Sequence, residues 1–321
     1  MEPQKESNQN YLPYPATSQP KGDEIDLRDL FKALWQGKWF IIVTTFIFAI
    51  GSVLYALSLP NIYKANALLA PAESSNGGSL SKMAGQLGGL AALAGVNLVS
   101  GESSQTQLAV QVMKSRQFAE AFIKKHDLLV PLMASKDWDV KTNRLVLDEN
   151  IYNPITKEWL REPKNLRGAK PTAQEAFEVF NQEVLTISQD KITGLYDVSV
   201  KHYSPYIAQK WVNWLIEDIN KVMRERSIKE ASQNLIYLNA QLRKISIADM
   251  QSTFYKLIEE QTKSLMLAEA QEEFIFKVID PAVVPEVKDS PKRALICLLG
   301  VFVGGMFSIM IILIRFTINK D

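Results

Sequence analysis

The stretch ALICLLGVFVGGMFSIMIILI, Ala294–Ile314, runs for 21 residues without a charge, and its reading decides the fold. At ~1.5 Å per residue, a helix of this length crosses the ~30 Å hydrocarbon core of a bilayer. A companion run, FIIVTTFIFAIGSVLYALSL, occupies Phe40–Leu59. Two such runs near the ends of a 321-residue chain predict two transmembrane helices with one large domain, 60–293, between them. The first run follows some 39 mostly polar residues. It also exceeds the ~7 to 15 apolar residues of a signal peptide, so it reads as a permanent span.

Lys21, Arg28, Lys32 and Lys38 precede the first span and only Lys64 follows closely, which puts the N-terminus in the cytoplasm. Lys288, Lys292 and Arg293 before the second span compete with Arg315 and Lys320 after it. Because the first helix usually dominates, the expectation is that both termini are cytoplasmic and the domain between is periplasmic. Residues 1–24 are rich in Pro, Gln, Asn and Ser and read as a disordered tail. Over 25–39, Leu27, Leu30, Phe31, Leu34 and Trp35 keep helical spacing, predicting an amphipathic helix on the cytoplasmic face. After the second span, 315–321 is expected to be a short tail, with no room for a kinase or signalling module.

Net charge +1 and 47% hydrophobic content exclude a strongly basic nucleic-acid binder and a disordered chain. The single cysteine, Cys297, lies inside the second span, which rules out an intrachain disulfide and a cysteine zinc site. No phosphate loop, H-E-x-x-H or G-x-S-x-G occurs. His126 and His202 read as surface or satisfied histidines. The acidic pairs Glu259–Glu260 and Glu272–Glu273 read as solvated helix faces. The expectation is no catalytic, cofactor or metal site, and no enzyme.

Within 60–293, NIYKANALL (Asn61–Leu69) reads as a strand ended by Pro71. Ser74–Gly101 holds seven of the fifteen glycines. Its uncharged core, Met83–Val99, reads as a surface loop or small-residue helix, with membrane contact the alternative. A helix follows over Gln107–Leu128, with Leu108, Val112, Phe118 and Phe122 toward the core. Met133–Lys170 reads mostly as loop, and Pro171 opens a helix to about Asn181. Strands Val184–Ser188 and Leu195–Lys201 form a hairpin through Gly194, and Phe274–Ile279 is a further strand.

Neither Gly nor Pro interrupts the chain between Pro205 and Pro281. There Ile228, Ala231, Leu235, Leu238, Leu242 and Ile245 repeat at spacings of 3 and 4, a coiled-coil seam. Phe254, Leu257, Leu265 and Ala268 continue it, with Gln261 as the polar exception. Ser246 can cap a second helix near Ile247 with Asp249 as a weak partner, so one continuous helix and an antiparallel hairpin both fit. Flanking strands favour a hairpin over about 205–271, since they could then pair in one sheet.

At the second span, Ser290 and Pro291 read as N-cap and first helical residue. Lys292 and Arg293 then sit at headgroup height, anchoring the helix or meeting a lipid-linked pyrophosphate. Gly300 and Gly304 form G-x-x-x-G, and Ser52 and Ala56 give the first span a small-residue face; both are candidate helix–helix contacts.

IDLRDLFKALWQGKW before the first span, YKANALLAP after it and PAVVPEVKDSPKRA…GGM at the second resemble the Wzz polysaccharide chain-length determinants, or polysaccharide co-polymerases. The last stretch is similar to that family's proline-glycine signature, carried by Pro281, Pro285, Ser290, Pro291, Lys292, Ala294, Gly304, Gly305 and Met306. Phe307, Ser308 and Ile309 depart from the small residues that often follow in the family. The resemblance implies an α+β inner-membrane protein. Two transmembrane helices would flank a periplasmic α/β base with a projecting helical hairpin. It further implies a homo-oligomeric ring that works with a Wzy-type polymerase to set glycan length on undecaprenyl pyrophosphate, in contact with membrane lipids and without nucleic acid. The alternative is an adaptor for capsule or exopolysaccharide export that works with a separate tyrosine kinase.

Overall fold

The computed structural model describes residues 34–72, 101–244 and 247–318. The tail 1–24, most of the amphipathic segment 25–39, the glycine-rich stretch up to Ser100, and Ile245 and Ser246 lie outside them. The chain divides into two units, 1–56 with 293–321, and 57–292.

In chain order the elements are α1 (Lys38–Ser58), β1 (Tyr63–Pro71), α2 (Gly101–Met113), α3 (Arg116–Lys125) and α4 (Leu129–Met133). Two small hairpins follow, β2 (Ser135–Asp139) with β3 (Arg144–Leu147), and β4 (Tyr152–Asn153) with β5 (Glu158–Trp159). Then come α5 (Ala173–Val179), a π turn at Phe180–Val184, β6 (Leu185–Gln189), β7 (Tyr196–His202), α6 (Pro205–Leu242), α7 (Ala248–Ala270), β8 (Phe276–Asp280) and α8 (Arg293–Ile318).

The first unit consists of α1 and α8, both long and apolar enough to cross a membrane. Their side chains are largely exposed, as suits helices whose natural surroundings are lipid rather than a protein core.

The second unit is built on an antiparallel sheet in the order β6-β7-β1-β8. In β1, Ala65, Ala67 and Leu69 alternate inward, as the period of two of a strand requires. Val198 and Val200 of β7 are likewise buried. The first half of α6 packs on β1 and β7. Its inward residues, Ala208, Trp211, Val212, Leu215, Ile216, Ile219 and Met223, keep the 3-4 spacing of one helix face. Ser204 caps this helix by accepting from the Ile207 N–H at 3.5 Å, and Pro205 fills the position where a missing N–H costs nothing. The core is completed by Phe118 and Phe122 of α3, Phe180 of the π turn and Phe276 of β8.

Several expectations change here. The helix foreseen over 107–128 is broken, because the Ser115 hydroxyl accepts from the Phe118 N–H and starts a new helix. Leu108, foreseen as core, is 42% exposed on α2. The segment read as loop, 133–170, carries the two small hairpins. Their strands are too short and too rich in charge for a clear period-two pattern, and left-handed Asn143 and Lys157 make their turns.

Beyond Met223, α6 pairs with α7 as an antiparallel hairpin, not one continuous helix. At ~1.5 Å per residue, the 38 residues of α6 rise ~57 Å. The α7 cap differs from expectation: Ile247 is the N-cap residue and makes no side-chain cap bond. The inward row of α7 runs Phe254, Ile258, Gln261, Leu265, Ala268. Ile258 therefore takes the place assigned to Leu257, which is exposed. Shifting one residue keeps the 4-3 spacing that a/d packing requires.

Candidate functional site

The residues singled out in the sequence fall into three groups: the pair of apolar helices, the segment between β8 and α8, and the hairpin seam.

In the apolar pair, a Cβ placed on Gly300 would lie 2.4 Å from Ser52 Cβ and 2.6 Å from its Oγ. One placed on Gly304 would lie 2.6 Å from Phe48 Cβ. Only glycine permits this approach, so the G-x-x-x-G face of α8 is turned to the chain's own α1. Phe48 and Phe307 add a ring contact at 5.9 Å. Ser52 Oγ donates to Ala49 O and Ser308 Oγ to Gly305 O, both at 2.8 Å, which satisfies the hydroxyls inside their own helices. Ala56 is buried, Gly305 lies 4.0 Å by its virtual Cβ from Thr45 Oγ1, and Met306 is exposed. Phe48 was not foreseen. A bulky ring opposite a glycine is a knob filling the hollow the glycine leaves, and no small-residue pattern points to it.

The segment 281–292 closes the second unit. Ile62 N–H donates to Ser290 O at 2.9 Å, and Ile62 O accepts from the N–H groups of Asp289 (2.9 Å) and Ser290 (3.3 Å). Around this bridge, Lys288 Nζ donates to Asn61 Oδ1 at 3.2 Å and Lys201 pairs with Asp289 at 3.1 Å. The chain segments on either side of the domain are thus tied to each other. Ser290 and Pro291 precede α8, which begins at Arg293, so the reading of them as its N-cap and first residue is corrected. The backbone of Ser290 is already engaged with Ile62. Pro281 directly follows β8, Pro285 lies in the connecting segment, Lys292 is the last residue before α8 and Ala294 its second residue.

The return from α7 into β8 is held by polar side chains of α6. Asn220 is 5% exposed; its Nδ2 donates to Phe276 O at 3.0 Å, and its Oδ1 accepts from the N–H groups of Ile275 (2.8 Å) and Phe276 (2.9 Å). Gln209 Nε2 donates to Ala282 O at 3.0 Å, and Arg224 donates to Gln271 O at 3.3 Å. Glu273 Oε1 accepts from the Val278 N–H at 3.2 Å, on the flank of β8 facing away from β1.

In the hairpin, Ala231 and Ala268 are buried, while Ile228, Leu235, Leu238 and Leu242 are half-buried. Asn234 Nδ2 donates to Gln261 Oε1 at 3.3 Å across the pair. Ile236, Tyr237, Tyr255 and Met266 stand on the outside, each at least 60% exposed.

Both histidines have partners. His126 Nε2 meets Asp218 Oδ2 at 2.9 Å, beside the Lys125–Asp218 ion pair, and its ring stacks on Trp214 at 4.1 Å. His202 is buried; its Nδ1 accepts from the Ser204 N–H at 3.0 Å, so its Nε2–H donates to Pro131 O at 3.1 Å. Burial pushes its pKa down to about 4, against the weaker raising effect of the two backbone contacts. Glu175 is buried at the start of α5, where Thr172 and Glu175 form a capping box. Burial opposes its charge, but the Arg161 hydrogen bond at 2.5 Å, the Thr172 N–H, and the Arg161 and Arg167 charges together hold its carboxyl below the ordinary value. Among the described residues no His, Cys, Asp or Glu cluster has metal-site geometry.

The sequence matches two family models. Residues 23–126 match Wzz, the chain length determinant protein, and residues 244–317 match GNVR, the G-rich domain on putative tyrosine kinase. The chain thus carries a Wzz chain-length-determinant domain followed by a GNVR domain. The Wzz match spans α1, β1, α2 and α3, and the GNVR match spans α7, β8 and nearly all of α8. Among solved structures, the chain is similar to a full-length bacterial polysaccharide co-polymerase at 15% identity and a TM-score of 0.38. That match covers 92% of this chain and 99% of the other. A fragment of WzzB, a polysaccharide co-polymerase from Salmonella Typhimurium, matches at 10% identity and a TM-score of 0.29, covering 71% and 99%. No curated protein matches the sequence. The Wzz match and the two apolar helices fit an inner-membrane protein.

Proposed function

We propose that this chain is a non-enzymatic regulator of O-antigen, or related surface polysaccharide, chain length. It acts as a homo-oligomer beside a Wzy-type polymerase that extends an undecaprenyl-pyrophosphate-linked glycan. The Wzz match over 23–126 carries the reading, because it joins the first span to the central strand of the sheet. The hairpin supports self-association: a half-buried seam flanked by Ile236, Tyr237, Tyr255 and Met266 exposes apolar surface that neighbouring copies would cover. In this reading both termini are cytoplasmic and the second unit is periplasmic, following the excess of Lys and Arg before the first span.

Deleting the gene tests the function directly. The expected result is a polysaccharide ladder that loses its preferred length while polymer is still made. An unchanged ladder on a gel overturns the proposal.

A second reading is favoured by the GNVR match, whose family description places that domain on putative tyrosine kinases. The chain would then be a co-polymerase for capsule or exopolysaccharide export that works with a separate kinase. Copurification of the intact protein with a polymerase supports the first reading; copurification with a kinase supports the second.

A further inference from the structure

Three aromatic rings meet where β1, β2 and the first turn of α6 converge. Trp138 stands edge-on to Tyr63, with centroids 5.7 Å apart at 85°, and 6.0 Å from Tyr206. Pairing of Trp138 with Leu145 across the β2–β3 hairpin, and donation from its Nε1–H to Asn143 Oδ1 at 3.0 Å, fix the indole.

Unlike the closed aromatic core around Trp211, Phe122, Phe180 and Phe276, this group is open. Tyr206 is 49% exposed, and Trp138 and Tyr63 are half-buried. The Tyr206 hydroxyl has no hydrogen-bond partner among the described residues. Exposed Asp137 stands beside the group, its Oδ1 accepting from the Trp138 N–H at 2.8 Å. Lys136 is exposed beside Asp137.

An open aromatic surface with hydrogen-bonding groups at its rim has the chemistry of a sugar site. One face of a pyranose ring is a layer of polarised C–H groups, attracted to the negative face of an aromatic ring, while its edge is a belt of hydroxyls. We propose that Tyr206 and Trp138, backed by Tyr63, form a stacking platform for a sugar ring of the polysaccharide. Asp137 would accept from its hydroxyls. This deepens the function proposed above and rests on it. A bilayer surface also attracts Trp and Tyr. The opposite signs of Asp137 and Lys136 suit neutral hydroxyls better than an anionic headgroup layer, which selects for cations.

The test uses full-length protein in detergent. The probe is the surface polysaccharide of the producing cell, released from its lipid by mild acid and fractionated by length, with binding measured by titration calorimetry. The expected result is measurable binding by the wild type, weakened about two- to tenfold by Tyr206→Ser and by Trp138→Ala. Trp138→Phe, which keeps a ring, retains most of the affinity, and Tyr206→Ser leaves thermal unfolding unchanged.

No binding by the wild type, or equal binding by Tyr206→Ser and Trp138→Ala, overturns the platform. In nanodiscs containing brominated lipid, quenching that disappears in Trp138→Phe overturns it in favour of a lipid surface. An altered ladder in the deletion strain together with no glycan binding removes this inference alone. An unchanged ladder removes the function on which it rests.

Discussion

Asn220 and Phe276 are joined by a two-way hydrogen bond, in which the amide of a helix side chain exchanges both a donor and an acceptor with one strand residue, at 3.0 and 2.9 Å. The pair reproduces inside the domain what a neighbouring strand would supply. It fixes the point at which the hairpin returns to the sheet.

Asn220→Ala leaves the Phe276 carbonyl and the Ile275 and Phe276 N–H groups buried without partners. An unsatisfied buried group costs ~1–3 kcal/mol, so the variant is expected to lose several kcal/mol, read as a lower denaturation midpoint in detergent. Asn220→Asp keeps the two acceptor bonds but loses the donor to Phe276 O, and is expected to fall between wild type and Ala.

His202 makes stability pH-dependent. Its ordinary value is 6.5 and its folded value about 4, so between these pH values the unfolded chain binds a proton that the folded chain refuses. The contribution is complete above pH ~6.5 and lost as pH falls through ~4, about 3 kcal/mol in all. Denaturation midpoints measured from pH 7 to 4 should fall accordingly. A His202→Gln variant should flatten that slope, and an unchanged slope would show that His202 is not its source.

In the apolar pair, Gly300→Ala forces a methyl group into Ser52, and Gly300→Leu forces more. Both are expected to separate α1 from α8 while each still inserts. Adding Ser52→Gly should restore Gly300→Ala by removing the opposing Cβ. Native gels and limited proteolysis of the detergent-purified protein measure the loss and its recovery.

The hairpin register predicts that Ile258→Asp is more disruptive than Leu257→Asp. The first puts a charge into the seam, while the second puts it on the exposed face. Helical content by circular dichroism and the thermal midpoint should fall in Ile258→Asp and change little in Leu257→Asp. The reverse order would restore the register read from spacing alone.

What was legible in the sequence was what repeats. The uncharged lengths of Phe40–Leu59 and Ala294–Ile314 mark the apolar helices, and the alternation in YKANALLAP marks β1. The 3-4 spacing from Ile228 onward marks the hairpin. Single contacts between distant residues leave no period. Nothing in the local pattern marks Asn220 as the partner of Phe276 or Phe48 as the knob opposite Gly304. Leu257 and Ile258 are adjacent and equally apolar, so only packing decides which faces inward. Ser290 and Pro291 have the residue types of a helix start, but the bridge to Ile62 uses them first.

The bonds around β8 bear on how copies could join. With the outward N–H and carbonyl of Phe276 taken by Asn220 and the Val278 N–H by Glu273, three of the groups this flank of the sheet would offer to an incoming strand are already engaged. A continuous ribbon of sheets running from molecule to molecule needs two receptive flanks in each, and here one is largely occupied. Side by side, copies are thereby steered away from edge-to-edge strand pairing and toward contact through side-chain surfaces.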